Sequence, residues 1–198
     1  MPDTRARLLT ATNESFRRRG FNGTSLKRVT AAAGAPIGSL YHFFPGGKEE
    51  LAAATIESSG DAYRQLFEVM AGAAPDIAHA ITDFFDGAAT ALEETDFIDP
   101  CPIGTVAREV ASTNENLRAA TQGVFASWID AAATHLEGAG ASSHNARELA
   151  MTLVAALEGG FVLARAARDA EPLRATGRAL RRLVEQTLAA QAAAPIAT

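Results

Sequence analysis

Ser39, Tyr41, His42 and Lys48 lie close together in the stretch SLYHFFPGGKEEL, in a chain whose only other lysine is Lys27. A phenol or serine hydroxyl donates to a phosphate oxygen. An imidazole bonds a phosphate or a base edge, and an ammonium pairs with phosphate. Leu40, Phe43 and Phe44 share the opposite side by helical spacing, so Ser39, Tyr41 and His42 are placed outward. Upstream, Thr24 and Ser25 bring hydroxyls to a helix start, where backbone N–H groups bind anions. Lys27 and Arg28 follow on the exposed face of that helix. Pro36 opens the next segment, Ile37 offers apolar surface to a thymine methyl, and Gly38 lets the backbone approach a partner closely. The shared chemistry is contact with a polyanion that also displays base edges. A solvated helix face is the plainer explanation for the charges taken alone.

These groups need elements to hold them. Asp3 or Thr4 caps a first helix with the stripe Leu9, Thr12 and Phe16, and Gly20 ends it. Ser25, with Thr24 as rival cap, starts a second helix carrying Leu26, Val29 and Ala33, which stops at Gly34. Ala35-Pro36 opens a third, and Pro45-Gly46-Gly47 stops it. Two short helices joined by a three- or four-residue turn containing Gly make a helix-turn-helix, whose second helix enters the DNA major groove. Charge agrees: residues 1–51 hold eight basic and four acidic side chains, net +4, whereas the remainder holds ten and nineteen, net −9. A basic head on an acidic body suits a polyanionic partner. Arg17-Arg18-Arg19, at the end of the first helix, is accounted for by the helix dipole.

From Lys48 the pattern predicts helices to about Met70, from Asp76 to about Glu94, and from Ile103 to Ala111. Ser112 and Glu115 stand at capping-box spacing for a helix ending near Gly138. Two more run from about Asn145 to Asp169 and from Pro172 to Gln191. No strand-like alternation or repeat occurs. The expectation is an all-α protein. Residues 1–50 form a three-helix DNA-binding domain, 51–192 form a helical ligand-binding and dimerisation domain, and 193–198 are a frayed tail. No run reaches the roughly 18 apolar residues of a membrane span, and residues 1–5 lack a signal-peptide layout. A cytoplasmic protein without a membrane partner is expected. A single cysteine, Cys101, excludes an intrachain disulfide and a Cys-based zinc site. No metal, cofactor or catalytic group is expected.

The stretch GFNGTSLKRVTAAAGAPIGSLYHFFPGGKEEL resembles the DNA-binding region of the TetR family of bacterial transcriptional regulators. The matching residues are Phe21, Thr24-Ser25, the Val29–Gly34 helix end, Gly38, Leu40 to Phe44 and Lys48. PCPIGTVAREV at 100–110 and the extra glycine before Lys48 resemble the LmrA/YxaF-like branch. Ser15 departs from the family's large apolar residue, and Ile37 from its common polar or basic one. The resemblance implies a homodimer of nine or so helices per chain, a ligand pocket in the C-terminal bundle, and repression relieved by a small molecule. Two half-sites about 34–36 Å or a multiple apart on a palindromic operator would be read by such a dimer.

Within that frame Phe67, Met70, Phe84, Phe85, Phe97, Ile103, Phe125, Trp128 and Phe161 are candidate ligand-lining residues. Each is equally at home in an ordinary core. Few charges interrupt these stripes, which points to an uncharged, apolar or aromatic ligand. Leu153, Leu157, Gly160, Phe161, Ala164, Leu180, Leu183, Val184 and Leu188 are candidates for a four-helix dimer interface, with an intramolecular core as the plainer alternative. Two other functions remain in view. Cys101, between two prolines near a helix start, suits a redox-responsive regulator. His79, His135 and His144 suit an enzyme in a helical bundle, but no two of them stand three or four residues apart, and surface positions near loops explain them more simply.

Overall fold

The computed structural model describes residues 3–193. Among them are nine α-helices and no strand. They are α1 (Thr4–Arg19), α2 (Leu26–Ala33), α3 (Ile37–Phe43), α4 (Lys48–Ala73), α5 (Ile77–Glu94), α6 (Pro102–Val110), α7 (Glu115–Gly138), α8 (Ser143–Ala167) and α9 (Glu171–Ala192). The chain divides into two compact units. One takes the chain up to Ala62 together with Ile98–Phe125, and the other takes Tyr63–Phe97 together with the chain from Ala126 onward. The first unit is therefore larger than the 1–50 segment marked by the sequence. Residues 98–125 return to it, and Gly60 makes room for them: a Cβ added there would stand 2.4 Å from Val124 Cγ1. Of the expected tail, residues 194–198 lie outside the described residues.

In the first unit, Asp3 Oδ1 accepts the Ala6 N–H at 2.7 Å and starts α1. Ser25 Oγ accepts the Arg28 N–H at 3.4 Å and starts α2. Gly34, at φ 57°, ends α2 in the left-handed region that glycine adopts without steric cost. Leu8, Leu9, Val29, Leu40, Phe44 and Leu51 form the core that these helices share. Ser15, the departure from the family pattern, is buried without weakening that core. Its hydroxyl lies 2.8 Å from Thr24 Oγ1, which itself donates to the Gly20 carbonyl at 2.7 Å. With the Thr24 hydrogen committed to Gly20, Ser15 is the donor of the pair.

In the second unit, α5 packs along α9, and α8 beside α9. Glycines permit the close approaches. A Cβ at Gly177 would meet Phe85 Cβ at 2.6 Å, and one at Gly160 would meet Leu173 Cδ2 at 2.7 Å. Ile81, Phe85, Leu92, Leu136, Leu149, Leu173 and Val184 fill the core. Asp76 caps α5 through the His79 N–H, and Ser142 caps α8 through the Asn145 N–H. Several boundaries differ from the sequence reading. Helix α4 runs on through Gly72 to Ala73. Helix α7 is capped by Asn114, whose Oδ1 accepts the Leu117 N–H at 3.0 Å, and Ser112 stands in the preceding turn. Helix α8 begins two residues early, at Ser143. By length and composition alone α8 is also apolar enough to cross a membrane, which the sequence reading did not expect, and 33% of the relevant window is buried inside the fold. Its apolarity is spread over both sides of the helix.

The buried hydroxyl pair gives a stability prediction. Thr24→Val keeps the shape but strands the Ser15 hydroxyl and the Gly20 carbonyl, and is expected to cost about 1–3 kcal/mol. Ser15→Ala leaves Thr24 bonded to Gly20 and is expected to cost less. Urea unfolding of the two variants compares them directly.

Candidate nucleic-acid interface

Helix α3 has seven residues, Pro36 at its N-cap and no side-chain cap bond. It is held from below: Leu40 is completely buried and Phe44 almost so, with Phe43 partly covered. The opposite side is open. Ile37 and Tyr41 are each 49% exposed, and four residues apart they share one face. Pro36 and His42 are exposed, Ser39 is half-buried, and the His42 ring meets Phe43 edge-on at 5.0 Å. A Cβ added to Gly38 would meet nothing within 4 Å, so no part of the chain uses the space over it.

Helix α2 presents Lys27 and Arg28 to solvent beside the exposed Ser25. Ser25 accepts from the backbone and keeps its hydroxyl hydrogen for an acceptor outside. Thr24 departs from the sequence reading. It is buried and its hydroxyl is bonded inward to Gly20, so its side chain cannot serve as a phosphate donor. Lys48 opens α4 with its Nζ 4.3 Å from the Phe21 ring centroid, a cation–π distance. Partial burial pushes its ammonium below the ordinary lysine range, while the Glu109 carboxylate works the other way. Two further basic residues border this surface and carried no role in the sequence reading. Arg5 lies over the Phe44 ring at 5.6 Å, and Arg7 reaches to 3.8 Å from the position of a Cβ on Gly34, in the turn between α2 and α3. Nothing in their local sequence separates them from any solvated arginine. Of the arginine run, Arg18 pairs with Asp99 at 3.3 Å.

The candidate ligand residues fall in both units. Ile103 and Phe125 belong to the first, where Ile103 is core. Phe67, Met70, Phe84, Phe85, Phe97, Trp128 and Phe161 belong to the second. Phe67 meets Phe84 edge-on at 5.5 Å and His135 at 5.8 Å, and Trp128 meets Tyr63 at 6.1 Å. Met70, Phe97 and Phe161 are half-buried. Phe85 is a correction: it is buried against Gly177 as a plain core side chain.

The assembly candidates need a larger correction. Leu153, Leu157, Gly160, Ala164, Leu180 and Val184 are buried within the chain, because α8 and α9 turn that stripe toward their own core. Phe161 and Leu188 pack partly against it, and only Leu183 is exposed. The outward apolar side of α8 is a different set: Met151, Val162 and Leu163, between 45% and 60% exposed. The histidines are more engaged than expected. His79 Nδ1 lies 2.8 Å from Asp76 Oδ2 and its Nε2 2.9 Å from Arg181, while only His144 is a plain surface residue. Cys101 is buried at the N-cap of α6, its Sγ accepting the Gly104 N–H at 3.5 Å. Among the described residues no group of three His, Cys, Asp or Glu is placed to hold a metal.

A short helix presented by its buried side, following a capped helix across a three-residue turn, defines a helix-turn-helix protein. Residues 8–55 match the family model "Bacterial regulatory proteins, tetR family", and residues 77–179 match "Transcriptional regulator LmrA/YxaF-like, C-terminal domain". The chain is 33% identical over 171 residues to the uncharacterized HTH-type transcriptional regulator YxaF of Bacillus subtilis, covering 86% of this chain and 90% of that one. It is 32% identical to the HTH-type transcriptional regulator LmrA of the same organism, covering 86% and 91%. The regulatory protein TetR from Rhodobacter sphaeroides shares the fold, with a TM-score of 0.80 at 23% identity over 89% of this chain and 96% of that one. The chain belongs to the TetR family of helix-turn-helix transcriptional regulators, in its LmrA/YxaF-like branch.

Tyr41 and Lys48 differ in what they would contribute on DNA. Lys48→Gln is expected to reduce the slope of log affinity against log salt by about 0.9, one phosphate's share. Tyr41→Phe, which keeps the charge, is expected to weaken binding at every salt concentration without changing the slope. Fluorescence anisotropy across a salt series reads both.

Proposed function

We propose that the protein is a homodimeric repressor that leaves a palindromic operator when a small apolar or aromatic molecule binds its second unit. The observation that carries the DNA-binding part is the open face of α3. Ile37, Gly38, Tyr41 and His42 point away from a fully packed Leu40 and Phe44, with Ser25, Lys27, Arg28 and Lys48 flanking them. Pro36 and Ser39 complete that set. Ile37 meets a thymine methyl, and the hydroxyls and cations position the head on phosphates. One seven-residue helix covers few base pairs, so a two-fold dimer is needed for tight reading.

Dimerisation has its own support. Met151, Val162 and Leu163 on α8 and Leu183 on α9 are large apolar side chains left in water. Several large apolar side chains exposed on the same two helices suit an interaction surface. The effector reading is supported by the half-buried aromatic groups Phe67–Phe84 and Tyr63–Trp128. A ligand there acts by favouring one conformer over another. The protein works in the cytoplasm, where its DNA is, and has no catalytic role. The family membership argues for a regulator over a bundle enzyme, and the burial of Cys101 argues against direct redox sensing.

The deciding experiment is binding to a duplex carrying the gene's own upstream region, compared with a scrambled duplex. Selective binding that weakens linearly in log salt is expected. Equal affinity for both duplexes at all salt concentrations would sink the reading. Leu163→Glu is expected to shift the protein to monomer in analytical ultracentrifugation and to lower operator affinity at least tenfold, since each half then binds alone.

A further inference from the structure

We propose that Glu109 is a positioning residue for DNA reading: from α6, its carboxylate holds the loop between α1 and α2 and so fixes the pose of α2 and α3. This rests on the DNA-binding reading above. Glu109 Oε2 accepts the Asn22 N–H at 2.8 Å, across 87 residues of sequence. The other oxygen fills the space over Gly20, where an added Cβ would stand 1.6 Å from Oε1. Gly20 itself sits at φ 66°, ψ −171°, a conformation essentially confined to glycine. The carboxylate therefore lies flat on Gly20 and Asn22.

Its position is not one that charge alone would choose. A carboxylate at a helix C-terminus, here that of α1, faces the negative end of the dipole. Two things compensate: the charge-assisted bond from Asn22, and the Lys48 ammonium, whose protonated form Glu109 favours. Lys48 in turn lies over Phe21, the residue between Gly20 and Asn22. The loop thus meets both α6, through Glu109, and the start of α4, through Lys48. Side-chain contacts also link the neighbouring elements: Asn114, the cap of α7, donates to Glu49 of α4 at 2.9 Å, and Arg18 near the end of α1 pairs with Asp99. Glu109 differs from these in holding backbone rather than side chain. It bonds the four-residue connection that leads directly into the Ser25 cap of α2, so a small shift there rotates every reading side chain that follows.

The test uses the full-length protein as wild type, Glu109→Ala and Glu109→Gln, with two readouts. Amide hydrogen exchange at Asn22 reports the clamp without DNA. Glu109→Ala is expected to speed it about tenfold, and Glu109→Gln, whose amide oxygen still accepts, to keep it near wild type. Binding to the upstream duplex and to the scrambled duplex reports the reading role. Glu109→Ala is expected to lose about tenfold on the upstream duplex and almost nothing on the scrambled one, where phosphate charge alone decides. Glu109→Gln is expected to restore the upstream affinity. The proposal is overturned by an alanine variant with wild-type exchange and affinity, by a glutamine variant as weak as alanine, or by equal losses on both duplexes, which mark general loss of structure. If wild type fails to distinguish the duplexes, the DNA-reading assignment falls and takes this inference with it. Protection at Asn22 would then be structural only.

Discussion

A helix of seven residues has no stability of its own in water. Everything α3 does depends on the burial of Leu40 and Phe44, which are almost wholly removed from solvent. Each contributes about 1.5–3 kcal/mol by transfer out of water. That burial needs the packing side of α1 and α2, with Leu8, Leu9 and Val29, and the first turn of α4, with Leu51. Three helices are thus committed to presenting the outer face of a fourth, about two turns long. On the outer face Ile37 and Tyr41 are half exposed and Gly38 meets nothing, so these positions are available to a partner.

The second unit solves a different problem with one helix. Helix α8 is apolar around much of its circumference. Leu149, Leu153, Leu157 and Ala164 serve the internal core, while Met151, Val162 and Leu163 face outward. The same composition that makes α8 long and apolar enough to cross a membrane is what a helix with two apolar sides requires. Gly160 and Gly177 matter here because of what they lack: the helices around Leu173 and Phe85 come within reach only where no Cβ intervenes.

Local chemistry was legible in the sequence and distant chemistry was not. Ser25, Gly20 and Gly34 act within four residues of themselves, and the sequence places that cap and those two stops, while the structure chooses Asp3 over Thr4 and makes Asp76 the cap before its helix. Ser112 has capping-box spacing to Glu115, but in the polar run Ser112-Thr113-Asn114 spacing does not choose among rivals, and Asn114 is the cap. Thr24 has the hydroxyl of a phosphate donor, but folding buries it, with its hydrogen on the Gly20 carbonyl and the Ser15 hydroxyl of α1 donating to its oxygen. Of the two uses the sequence leaves open for the stripe Leu153, Leu157, Gly160 and Ala164 on α8, the chain's own core takes it. Periodicity shows that a helix has an apolar side, and on a two-sided helix it does not say which side the chain keeps for itself. The outward placement of Tyr41 and His42 is legible because the inner residues of α3 are so strongly apolar that the outer ones follow by elimination.

Gly20 excludes side chains for two unrelated reasons. Its backbone stands where only glycine is at ease, and its open side is occupied by the Glu109 carboxylate. Across related chains the two positions are therefore not free to drift independently. A shortened residue at 109 removes only one of the two prohibitions at 20, whereas an enlarged residue at 20 drives the Glu109 carboxylate aside and breaks its bond to Asn22. The dependence runs in one direction, and the history of substitutions at this pair should carry that asymmetry, with losses at 109 preceding gains at 20.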